Sequence, residues 1–170
     1  MTFEQISNVL LEWIVRGAGL LWLVGAFMLF RQIRAEMALD SMTTRLERRA
    51  REIEADAGET PVPPPTPDPT DAWTDRDDAA RRGWIAAQAV VLAATAIAML
   101  ILHSFAAWMA ALLVLGQGVY FFWREHTARH APNPEAAEHA RPSVSTVNAG
   151  WVSLAVAILV WLAAYRGLLH

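Results

Sequence analysis

The sequence contains no cysteine and no lysine, and both absences limit what the chain can do. Without cysteine it has no disulfide, no zinc–thiolate site and no thiol nucleophile. All 14 basic residues are arginine, and together with the abundant alanine this composition indicates a GC-rich bacterial source. The net charge of −3 is small and gives no sign of a nucleic-acid partner, so we expect none.

Catalytic patterns are missing as well. The sequence has no glycine-rich phosphate loop, no Ser/His/Asp arrangement and no pair of carboxylates within an apolar run. His103 and His126 fall at opposite ends of one apolar run, so they cannot share a haem iron. We therefore expect neither enzyme activity nor a cofactor.

Apolar residues, by contrast, make up 55% of the chain and lie in four blocks, with most of the charges between them. A block of about 20 residues forms a helix of about 30 Å, the thickness of the hydrocarbon core of a bilayer. The sequence thus predicts an all-α membrane protein with four transmembrane helices. Their approximate limits are residues 9–30, 84–102, 105–123 and 147–165.

The first span is predicted to continue as a polar helix to about residue 57. Along this extension, apolar residues recur at spacings of three, four and seven, and Arg49 occupies one d position of the heptad pattern. This stripe would pack on a partner helix, on a second copy of the chain or on the bilayer surface. Its apolar members are Leu39, Met42, Leu46 and Ile53.

Six prolines between positions 61 and 69 predict an extended, semi-rigid spacer. A plain linker is the simpler interpretation, and a docking site for a proline-binding module is the alternative. Thr74 opens a capping pattern that predicts the start of the next helix. The predicted organisation is therefore residues 1–58 as the first span with its helix, 59–73 as linker and 74–170 as a three-span module.

Twelve of the 14 arginines lie in residues 31–83 and 124–146. Because short arginine-rich loops stay in the cytoplasm, we predict that both segments are cytoplasmic and both termini lie outside, in a bacterial inner (plasma) membrane. Residues 1–8 lack the basic start of a signal peptide, so we expect the first span to remain in the mature protein.

The second and third spans are separated by only two residues and are predicted to form a helical hairpin. Small residues on both spans are expected to hold it together, since they let helix backbones approach closely in lipid. A seam between two copies is the alternative use of the same faces. The residues are Ala94, Ala98, Ala107, Ala111 and Gly118. Ser145, Thr146 and Asn148 are predicted to cap the last span.

Ionisable residues near the predicted outer ends form a possible functional cluster, because charges inside a membrane are costly and often functional. Glu12 and Arg16 are four residues apart on one helix face, so a structural ion pair is the simpler interpretation. The alternative is a proton, cation or headgroup site. The other members of the predicted cluster are His103 and Arg166.

His126 and His130 form a possible weak metal site, since histidines four apart on a helix can hold one ion. The segment has no catalytic metal motif, so a solvated, histidine-rich loop is the simpler interpretation and we predict no bound metal.

These features together predict an accessory, scaffolding or assembly subunit of a larger membrane complex. Its expected partners are the lipid bilayer and either other membrane-protein subunits or a second copy of itself. A small transporter or channel that uses Glu12 and Arg16 is the first alternative. A signalling protein that transmits motion from the first span into the 31–57 helix is a weaker one.

Overall fold

The computed structural model of the protein describes residues 3–56 and 69–170, and within these ranges the regular elements are all α-helices. They are α1 (Phe3–Asp56), α2 (Pro69–Leu100), α3 (Phe105–Arg129), α4 (Pro134–Ala140) and α5 (Val144–Tyr165). Each of the four long helices is long and apolar enough to cross a membrane. The prediction of an all-α, multi-pass membrane protein with four spans is confirmed.

The four long helices alternate in direction and form a bundle, in which α1 packs mainly on α2 and α3 packs on both α2 and α5. We call one end the termini end; it holds the start of α1, the α2–α3 turn and the end of α5. We call the other the arginine end, where Arg81 and Arg124 lie. Small side chains dominate the core, so the helices approach closely. The buried residues include Ala89, Ala96, Met99, Ala106, Ala110, Leu113, Ala157, Val160 and Ala163.

Gly19 marks a particularly close approach of α1 to α2. A Cβ atom added there would lie 3.0 Å from the Ala96 carbonyl oxygen and 3.1 Å from Met99 Cβ. The hairpin faces predicted from the sequence are correct only in part. Ala98 and Ala107 are buried, but an added Cβ at Gly118 would meet nothing within 4 Å.

Two predicted helix starts are wrong. Helix α2 begins at Pro69, where the missing N–H of proline is not needed, and Thr74 lies inside the helix with its hydroxyl donating to the Thr70 carbonyl at 3.0 Å. Helix α5 is capped by Ser143, whose Oγ accepts from the Thr146 backbone N–H at 3.3 Å. The preceding part of the proline-rich linker, up to residue 68, lies outside the described residues.

Helix α1 runs without interruption for 54 residues, which corresponds to about 80 Å. The predicted continuation of the first span into a polar helix is therefore confirmed. We call residues 31–56 the extension. Near its base, Asp40 forms an ion pair with Arg82 of α2, and from Met37 to Ile53 every residue is exposed.

The α2–α3 turn is closed by residues that follow α5. Leu102 adopts a left-handed conformation with φ of 52°. The Ser104 N–H donates to the His170 carbonyl at 2.7 Å, and the His170 N–H donates to the Leu102 carbonyl at 2.8 Å. These two backbone bonds tie the segment after α5 to the hairpin.

Candidate functional site

The predicted pairing of Glu12 with Arg16 is present in the structure. A guanidinium nitrogen of Arg16 lies 2.8 Å from a carboxylate oxygen of Glu12, and the two side chains are 42% and 37% exposed, respectively. Both residues belong to α1, so the pair connects no two helices. Its geometry accounts for how two opposite charges can share an apolar segment.

The other two members of the predicted cluster make separate contacts at the same end. Arg166 donates to Ser7 Oγ at 2.8 Å and to Asn8 Oδ1 at 3.4 Å, which joins the end of α5 to the start of α1. His103 accepts a hydrogen bond from the Phe105 N–H at 3.1 Å. In the described ranges, no hydrogen bond or ion pair joins either residue to the Glu12–Arg16 pair.

His126 lies in the last turn of α3 and His130 is the residue that follows the helix at its C-terminus, so the segment predicted as a histidine-rich loop is helical up to Arg129. Their ring centroids are 4.3 Å apart, and His130 Nδ1 lies 2.8 Å from the His126 carbonyl oxygen. Both side chains are exposed. Neither residue belongs to a group of three candidate metal ligands among the described residues.

A buried ion pair at the arginine end connects three helices. Arg124 of α3 is 2% exposed at its side chain, and Asp77 of α2 is 3% exposed. One guanidinium nitrogen donates to both Asp77 oxygens, at 2.8 and 2.7 Å, while the other donates to the His139 carbonyl of α4 at 2.9 Å. We call these three residues the clamp.

In the described parts of the chain, one compact group of side chains could hold a metal ion. It consists of Asp77, Asp78 and His139 and shares Asp77 and His139 with the clamp. The Asp78 carboxylate lies 3.1 Å from His139 Nε2 and 3.3 Å from the Arg81 guanidinium. A cation there would have to compete with the buried guanidinium of Arg124 for the Asp77 oxygens. The group is therefore better suited to holding helices together than to binding metal.

The sequence did not predict a contact between Arg124 and Asp77. The two residues are 47 positions apart, so no local spacing relates them. Only the antiparallel packing of α2 on α3 brings them together.

The extension of α1 carries an uncovered apolar stripe outside the predicted spans. Its stripe residues Leu39, Met42, Leu46 and Ile53 are between 59% and 69% exposed. They share one side of a helix that is continuous with the first span, so the helix of the span supports this surface.

Comparisons with protein-family models, with curated proteins and with solved structures give no match. The geometry of the described residues is thus the basis for a functional proposal.

Proposed function

We propose that this protein is an accessory, scaffolding or assembly subunit of a larger complex in the bacterial inner membrane. In this proposal residues 31–83, which include the extension, and residues 124–146 lie in the cytoplasm, and both termini lie outside. The single supporting observation is the exposed apolar stripe on the extension, since such a surface in water marks a site of interaction.

The charges of the extension favour a helix of another subunit as the partner. Residues 31–57 carry six arginines and six acidic residues, so they offer no net attraction to an anionic bilayer surface. Two copies of the chain in one membrane would place their extensions in parallel, and Arg49 at a d position would then face its own copy. A partner helix with an acidic residue opposite Arg49 avoids this repulsion.

Purification in a mild detergent, followed by quantitative mass spectrometry, tests this proposal. We expect a partner at a fixed ratio to the wild-type protein and its loss in a Leu39→Ser/Met42→Ser/Leu46→Ser variant. Met42→Ser and Met37→Ser form a matched pair, because Met37 is equally apolar and exposed but lies on the opposite side of the helix. Only Met42→Ser should weaken the association.

A wild-type protein that purifies without any stoichiometric partner would contradict the proposal. If it purified alone or as a homodimer, and Glu12→Gln abolished a transport activity, the small transporter or channel would be supported instead.

A further inference from the structure

A cavity of about 520 Å³ with several polar side chains in its wall opens at the arginine end, between α1, α2, α3 and the start of α5. It lies beside the stacked rings of Trp84 and Tyr120, whose centroids are 6.1 Å apart. Aromatic residues of this kind are typical of the level of lipid headgroups. The polar residues of its wall include Gln32, Arg81, Gln88, Gln117, Ser143 and Ser145.

Four buried polar atoms of the lining residues have no hydrogen-bond partner in the described chain. Two are donors, Arg81 Nε and Trp84 Nε1, and two are acceptors, the Oε1 atoms of Gln88 and Gln117. The amide of Gln117 is oriented by its Nε2, which donates to Ser153 Oγ at 3.0 Å. Buried polar groups are almost always paired with protein, water or a ligand, so these four side chains keep unused capacity for a bound group that both accepts and donates hydrogen bonds.

The guanidinium of Arg81 favours an anion as the accepting group. Arg81 contributes a guanidinium, and its neighbour Asp78 is shared with His139. The N-terminus of α5 lies in the opposite wall, where the hydroxyls of Ser143 and Thr146 are 2.8 Å apart. The N–H groups of the first helical turn that Ser143 does not cap, together with the helix dipole, favour a phosphate at such a position.

An apolar groove continues from this cavity toward the middle of the bundle. The two share Leu29, Gln88, Gln117 and Ala149 in their linings. The groove has a volume of about 420 Å³ and extends along α1 to Leu21 and Trp22, about 10 Å from Leu29. A cavity with polar side chains in its wall, joined to an apolar groove, matches a molecule with a polar head and an apolar tail.

We propose that the cavity and groove bind an anionic phospholipid with hydroxyl groups on its head. The phosphodiester accepts from Arg81 and Trp84, while the headgroup hydroxyls donate to Gln88 and Gln117. One acyl chain lies in the groove between α1 and α5. This site is independent of the stripe on the extension.

Native mass spectrometry of the full chain released from detergent tests the assignment, with phosphatidylglycerol as the probe and phosphatidylcholine as the comparison. We expect selective retention of phosphatidylglycerol. Arg81→Gln should weaken it by about tenfold, the usual effect of losing a charge-assisted hydrogen bond. Arg82→Gln is the matched control, because it removes the same charge from a residue that pairs with Asp40.

Two further variants separate binding from folding. Trp84→Phe keeps a six-membered aromatic ring beside Tyr120 but removes the five-membered ring of the indole with its N–H, so it should reduce retention. A melting temperature near that of the wild type shows that the fold is kept. Ala149→Leu places a larger side chain at the exposed junction of cavity and groove and should reduce retention as well.

Equal retention of the two lipids would overturn the proposal, as would equal effects of Arg81→Gln and Arg82→Gln. The last measurement adds inorganic phosphate as a competitor of phosphatidylglycerol. If it displaced phosphatidylglycerol completely at millimolar concentration, the site would be one for a free anion and the lipid assignment would be wrong.

Discussion

The two ends of the bundle each contain an arginine paired with a carboxylate, but the two pairs differ in what they connect. At the arginine end, Arg124 and Asp77 are almost fully buried and link α3 to α2, with His139 adding α4. At the termini end, Arg16 and Glu12 are partly exposed and lie on one helix. The first pair therefore joins helices of the bundle, whereas the second neutralises two charges on one helix.

We expect burial and connectivity, rather than the mere presence of an ion pair, to determine how much each pair matters to stability. The termini half of the bundle is held by other means. There α1 approaches α2 closely at Gly19, and the segment after α5 pairs with the α2–α3 turn.

The largest expected effect tests the clamp. Arg124→Met leaves the Asp77 carboxylate buried without a partner, so we expect a loss of roughly 3–5 kcal/mol in the free energy of unfolding. The measurement is an unfolding titration in detergent. The double variant Asp77→Leu/Arg124→Met removes both charges and should recover most of the loss. A single variant as stable as the wild type would show that the clamp does not hold these helices together.

A smaller effect is expected at Gly19, where α1 and α2 are held by close packing and not by an ion pair. Gly19→Ala places a methyl group against the Ala96 carbonyl and Met99, and crowding of this kind costs about 1–3 kcal/mol. The same titration measures it. Gly17→Ala is the matched control two residues away, because an added Cβ there meets nothing within 4 Å. If the two variants were equally stable, the close approach of α1 to α2 would not contribute.

The smallest effect is expected at the local pair. Glu12→Gln removes one partner of an ion pair that lies on a single helix and links no two elements, so the change in unfolding free energy should stay below about 1 kcal/mol. Arg16 can extend its side chain toward the membrane surface and stay solvated. A loss as large as that of Arg124→Met would mean that the two ends are held in the same way.

The sequence was sufficient for the spans and for the Glu12–Arg16 pair because both depend on short-range spacing. A run of apolar residues matches the lipid thickness wherever it packs, and two residues four apart share a helix face in any fold. The clamp could not be predicted in this way, since the meeting of Asp77 and Arg124 depends on how α2 and α3 pack.

The errors at helix ends have a related cause. Several serines and threonines precede the last span, and each is a suitable cap by its chemistry. Ser143 is the actual cap because the chain is extended there and becomes helical at the next residue. Likewise, Thr74 matched a capping pattern, yet the helix already begins at Pro69.

Because α1 has no break, the first span and its extension form one continuous helix that tilts as a unit. From Arg31 to Asp56 the helix reaches about 39 Å beyond the span. A rigid tilt of 10° about Arg31 would move its tip by about 7 Å, which is more than one helical turn. Any protein bound near that tip would therefore follow the orientation of a segment embedded in lipid, without touching the lipid itself.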